Sequence, residues 1–90
     1  MPQAIASPEE IEKFAADLKE FNIQLQQSMT HLGGQFTRLG DTWRDQEHRK
    51  FADEFLQTVR VLQHFRQASE VQIPFLLRKA QRLREYLQQR

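Results

Sequence analysis

The chain has no cysteine, only three glycines and three prolines among 90 residues, and a single tryptophan, Trp43. The missing cysteines remove disulfide staples, thiolate catalysis and cysteine–zinc sites together, which leaves His31, His48 and His64 as the obvious soft metal ligands. One-signed charge is missing too. Thirteen Lys and Arg against twelve Asp and Glu give a net charge of +1, so no general attraction to nucleic acid or an anionic membrane follows. No apolar run approaches the ~18 residues of a membrane span, and Met1–Ala6 has neither a basic segment nor a long apolar core. The expectation is a soluble chain without stable membrane insertion, either cytoplasmic or secreted without a conventional signal peptide.

What the chain does contain is the composition of an amphipathic helical protein, 39% hydrophobic and 28% charged, rich in Gln, Glu, Arg and Leu. Ser7-Pro8-Glu9-Glu10 carries the signals of a helix start. Ser7 is a favoured N-cap, Pro8 suits the first helical position, and Glu10 stands where a capping box closes. From there Ile11, Phe14, Leu18, Phe21, Leu25, Ser28, Leu32 and Leu39 keep the three–four spacing of one apolar seam. Gly33-Gly34 interrupts it and implies either a local break in helix 1 or close approach of a neighbouring backbone.

Gly40, Thr42 and Asp45 read as a helical-hairpin turn. Gly40 suits a left-handed helix end, and Thr42 with Asp45 three residues later fits the signature of an outgoing helix. So short a link makes the two arms antiparallel neighbours. Trp43 then falls in the first turn of the second helix and plugs the closed end. The expected organisation is one all-α hairpin domain over 1–90, with helix 1 at about 8–39, a turn at 40–42, and helix 2 at about 43–88. Phe51, Phe55, Val59, Leu62, Phe65, Ile73, Leu76, Ala80, Leu83 and Leu87 form the second seam. Pro74, which lacks a donor and crowds the carbonyl of Glu70, predicts a kink.

At ~1.5 Å per residue the arms would be about 48 and 69 Å long. Pairing outward from Thr42 sets Ile11 opposite about Ile73, so the second arm outruns the first near Pro74. Phe75, Leu76, Leu77, Ala80, Leu83 and Leu87 would then lack cover within the chain and form a dimer or partner interface. Two helices enclose little core, and chains of this shape gain stability by association.

The candidate chemistry is thin. Asp45-x-x-His48 resembles half of a di-metal carboxylate site, but positions three before His31 and His64 are Ser28 and Val61. No metal or cofactor is expected. Ser7, Ser28 and Ser69 have no identifiable base beside them, so enzymatic activity is not expected either. Arg78, Lys79, Arg82, Arg84 and Arg90 make the C-terminal stretch basic. With so balanced a total, this reads as a solvated face rather than a nucleic-acid site.

A hairpin of this length, with Trp43 at the turn, Phe51 eight residues later and Phe55 four after that, resembles the WXG family of ESAT-like proteins. The resemblance implies a four-helix bundle built from two hairpins, as homodimer or heterodimer with a similar small hairpin, and a role in type VII secretion as substrate or partner. In two places the chain departs from the family pattern. Asp45 stands where the family's Trp-x-Gly turn has glycine, and Arg90 stands four residues after Tyr86, where its export signal has an acidic residue. The functional expectation is a non-enzymatic secretion substrate or partner acting through helix–helix dimerisation. The alternative is a cytosolic adaptor or structural coiled coil that docks through its C-terminal helix.

Overall fold

A computed structural model describes residues 6–89. The first helix, α1, spans Pro8–Leu39. Ser7 has extended backbone angles (φ −85°, ψ 124°), and its Oγ accepts the Glu10 backbone N–H at 3.3 Å, satisfying one of the free donors of the first turn. Glu9 and Glu10 sit at the positive end of the helix dipole and Arg38 at the negative end. The helix runs unbroken through Gly33 and Gly34. A Cβ on Gly33 would meet nothing within 4 Å, and one on Gly34 only the Arg38 Nη1 at 4.0 Å. The expected close backbone approach at this pair is therefore absent from the hairpin.

The link between the helices is longer than the expected three residues. Gly40 is right-handed (φ −65°, ψ −15°), and none of the described residues has a positive φ. The chain leaves α1 through overlapping turns, in which the backbone N–H of Asp41 donates to Arg38 O and that of Trp43 to Leu39 O, both at 3.0 Å. The second helix, α2, spans Gln46–Gln88, so it begins at Gln46 and not at Trp43. Its N-cap is Asp45, whose Oδ1 accepts the His48 backbone N–H at 3.0 Å. Thr42 instead donates its hydroxyl back to Leu39 O at 3.5 Å. Both residues are competent caps, but Asp ranks above Thr and brings a negative charge to the helix N-terminus.

This later start moves the register. Asn22 Nδ2 donates to Ser69 Oγ at 2.7 Å, and the Phe21 and Phe65 rings lie 5.8 Å apart. Stepping outward from Asn22 and Ser69 brings Ile11 level with about Ala80, not Ile73. The midpoint of the hairpin has moved from Thr42 to between Asp45 and Gln46, and each residue of that displacement shifts the partner by two. Pro74 therefore lies well inside the paired region, and α2 continues through it. The expectation that the chain beyond Pro74 lacks intrachain cover is corrected: Ala80 is 0% exposed, and Leu76 and Leu83 are half-buried.

The seam itself is also rotated from the expected one. On α1 the residues that turn inward are Ala15, Asn22 and Met29, alternating with half-buried Ile11, Leu18 and Leu25. Against them α2 sets Val59, Leu62, Ser69, Ile73, Leu76 and Ala80 at the same three–four spacing. Small side chains at Ala15, Ser69 and Ala80 allow the helices to approach. Phe14, Phe21, Ser28, Leu32 and Leu39, expected in the seam, are exposed. The hairpin measures 68 × 20 × 18 Å.

Candidate functional site

The closed end of the hairpin is an aromatic cluster centred on Phe36. The Phe55 ring stacks on it at 4.8 Å, the His48 imidazole lies nearly parallel at 5.6 Å and 10°, and Phe51 tilts against it at 5.9 Å. Trp43 closes the cluster from the link, edge-on to His48 at 5.1 Å and 5.9 Å from Phe51. Aromatic pairs at such separations contribute about 0.5–1.5 kcal/mol each beyond area burial. Among the turn residues singled out by sequence, Trp43, Phe51 and Phe55 converge here beside Gly40, while Thr42 and Asp45 stay at the surface. Phe36 and His48 were missed. Phe36 falls between the residues of the expected seam, and His48 is visible in sequence only as a possible ligand. Its Nε2 is buried with no hydrogen-bond partner among the described residues.

The two broad faces of the hairpin differ in chemistry. One carries Phe14, Phe21, Leu32 and Leu39 from α1 beside Phe51, Val61, Phe65 and Phe75 from α2, all substantially exposed, Phe14 at 60% and Val61 at 62%. Near the closed end this face opens into a groove of about 290 Å³ lined by Leu32, Gln35, Phe36, Leu39, Phe51 and Phe55. The other face is mixed, with Ile23 and Leu77 exposed among polar side chains. It carries a depression of about 510 Å³ between Lys19, Asn22, Ile23, Gln26, Arg66, Glu70 and Ile73, in which Arg66 pairs with Glu70 at 2.7 Å. Single exposed apolar residues are ordinary on a small protein, but a contiguous aromatic stripe along one face marks an interaction surface.

At the open end Arg84 ties α2 back to the first turns of α1. Its guanidinium pairs with both Glu12 oxygens, at 3.0 Å from Nη2 to Oε1, and with Glu9 at 3.2 Å. The Arg84 hydrogen bonds hold the Glu12 carboxyl below its usual range against a smaller opposing effect of burial. Glu9 is also lowered, first by its own backbone N–H, then by the Ser7 hydroxyl and Arg84. Arg84 is raised in turn, Glu12 being the main cause.

The six residues expected as a partner interface do not share one face. Ala80 is inside the hairpin, Leu76 and Leu83 flank it half-buried, Phe75 lies on the aromatic face, and Leu77 on the opposite one. Leu87 lies in the last turns of α2 at 36% exposure. Among the described residues no three His, Cys, Asp or Glu side chains gather as a metal site would require, and no helix is long and apolar enough to cross a membrane.

Two long antiparallel helices joined at an aromatic closed end define a helical hairpin. No protein-family model and no curated protein matches the chain. Solved structures do. The crystal structure of the wild-type secreted protein EsxB from Bacillus anthracis str. Sterne is 27% identical, with a TM-score of 0.77 over 93% of this chain and 97% of that one. The selenomethionine form of the same protein gives 27% and 0.77 over 96% of this chain and 98% of that one. The resemblance to the WXG family of ESAT-like proteins is thus one of fold and of sequence along nearly the whole chain.

Proposed function

We propose that this chain is a non-enzymatic, ESAT-like secreted helical protein that acts as a type VII secretion substrate, or as the partner of one, by pairing its apolar face with a second small helical hairpin. The observation that carries the reading is that face. The fold shared with secreted EsxB leaves Phe14, Phe21, Phe65 and Phe75 in water on one side only, where a second hairpin would complete a four-helix bundle. The face, 68 Å long and up to 20 Å wide, is large enough for the about 800 Å² per partner of a stable interface. The alternative adaptor reading depends on an uncovered C-terminal helix, and α1 covers α2 to about Leu83.

The test is secretion in a host with an intact type VII ATPase and in the same host lacking it. With a signal-bearing small hairpin co-expressed, the protein is expected in the culture medium of the first and retained in the second. Equal appearance in both media, or retention in both with every co-expressed small hairpin, refutes the reading. Because Arg90 occupies the position of the family's acidic export residue, export is expected to need a co-expressed partner that carries the signal.

A further inference from the structure

We propose that the depression on the face opposite the aromatic stripe binds a small acylated amino acid with an apolar side chain, a molecule that combines a carboxylate, an amide N–H and a hydrocarbon body. The site lies in the groove between the helices, from Lys19 to Gln27 on α1 and from Arg66 to Ile73 on α2. At ~1.5 Å per residue this stretch is about 12 Å long, room for two to three extended residues. Its volume of about 510 Å³ is that of a small-molecule site, in which apolar walls carry a few convergent polar groups. Because it faces away from Phe14, Phe21 and Phe65, it stays open when the apolar face is covered.

Each part of the ligand answers a feature of the depression. The floor offers an acceptor without a donor. Ser69 has one hydroxyl proton and gives it to the Arg66 carbonyl at 3.0 Å, so toward Asn22 it can only accept, from Nδ2 at 2.7 Å. That chain fixes the Asn22 amide, and Oδ1 is the end left over, buried with no partner among the described residues. A buried unpaired acceptor costs the free protein its desolvation, which a ligand N–H recovers. Only 4% of Asn22 is exposed, and the broad χ2 torsion of an asparagine lets Oδ1 turn toward a donor above it.

The rim supplies the charge. Arg66 is already held, by Gln63 at 3.0 Å and Glu70 at 2.7 Å, and the charges of that ion pair cancel. Lys19 forms no ion pair with the described residues, so the depression carries one net positive charge and favours a carboxylate. Ile23 from α1, 44% exposed, and half-buried Ile73 from α2 are the walls against which the hydrocarbon body leaves water. A free amino acid would bring an ammonium beside Lys19 and Arg66, whereas acylation leaves a neutral N–H for Asn22.

The probe is N-acetyl-leucine, titrated into the isotope-labelled full chain and followed by amide chemical shifts. A ligand of about twelve non-hydrogen atoms on an open surface should bind with a Kd in the millimolar range. The shifts should centre on Ile23, Glu70, Ile73 and the Asn22 side-chain amide. N-acetyl-leucinamide lacks the carboxylate, isocaproate the N–H and N-acetylglycine the apolar body, and each should bind about 3- to 10-fold more weakly. Lys19→Gln, on the exposed rim, should weaken N-acetyl-leucine by the same factor and leave N-acetyl-leucinamide unchanged. Asn22→Leu with Ser69→Ala removes the acceptor while filling the seam, and should erase the difference between N-acetyl-leucine and isocaproate. Absence of shifts at about 20 mM probe, shifts centred instead on Phe36 and Phe51, or equal affinity for all four compounds overturns the proposal. So does a preference for N-acetyl-leucine that survives both variants. A triglycyl-leucine peptide that binds more tightly than N-acetyl-leucine assigns the site to a polypeptide C-terminus, and equal or weaker binding assigns it to the free compound.

Discussion

Asn22 and Ser69 are the polar break in an otherwise apolar seam, and replacing them separates two contributions to stability. Asn22 is 4% exposed and donates to Ser69 Oγ, but its Oδ1 is buried with no partner among the described residues. Ser69 donates onward to the Arg66 carbonyl at 3.0 Å. Ser69→Ala strands the second half of the Asn22 amide and is expected to cost about 1–3 kcal/mol. The double replacement Asn22→Leu with Ser69→Ala removes the orphaned acceptor, a gain of about 1–3 kcal/mol, and gives up a hydrogen bond worth a net 0.5–1.5 kcal/mol. The leucine adds about 1–2 kcal/mol of burial, less than the full value for a Leu because the neighbouring depression is open. The double variant should therefore be more stable than the parent by about 1–3 kcal/mol, raising Tm by about 4 °C or more. The assay is urea and thermal unfolding by far-ultraviolet circular dichroism at one fixed chain concentration, since association and folding are linked. A neutral Ser69→Ala, or a double variant less stable than the parent, would sink the assignment. A polar residue at a seam position also specifies register at a cost in stability, so the stabilised variant is expected to tolerate slipped pairings that the parent excludes.

Asp45→Ala should cost about 1 kcal/mol through loss of the cap, while Thr42→Ala changes stability by less than about 0.5 kcal/mol; denaturant midpoints of the two variants decide which residue starts α2. Because Glu9 and Glu12 are held below their ordinary value of 4.5, the contribution of Arg84 is present above that pH and is lost as the pH falls through their lowered values. Arg84→Ala should thus lower Tm at neutral pH but converge with the parent in acid; a constant difference across a pH series would contradict the sign. Leu76→Asp with Leu83→Asp places charge in the seam within one hairpin, so helicity itself should collapse, at a cost of more than about 3 kcal/mol. A fully helical monomer from that variant would show that these residues lie outside the hairpin seam.

The all-α hairpin is legible in the sequence because its signals are local: Ser7 and Pro8 before a three–four pattern, then Gly40 and Asp45 between two such patterns. The choice of face is not legible. Ile11, Leu18 and Leu25 belong equally to a stripe completed by Phe14 and Phe21 and to one completed by Ala15 and Asn22. Hydrophobicity favours the first. Packing selects the second, because small residues let two helices approach while a phenylalanine row would hold them apart. The register was lost for a different reason. Thr42 and Asp45 are both good caps three residues apart, and choosing between them moves every partner along the hairpin. Trp43, Phe51 and Phe55 could be singled out as turn aromatics, but Phe36, which they surround, is identified only by the fold.

The thinness of this hairpin also has a mechanical meaning. Among the described residues no large side chain is fully buried, and the long-range hydrogen bonds are the Asn22–Ser69 pair and the Arg84 contacts. A pull on the C-terminus is therefore resisted first by Arg84 and then by one heptad of seam at a time, as in a zipper, rather than by the whole length at once as in shear. Opened this way, α2 peels from α1 under a small, nearly constant force until the aromatic closed end is reached. Phe36 and its neighbours are then the last contacts to part, and the place from which the hairpin can close again when the load is removed.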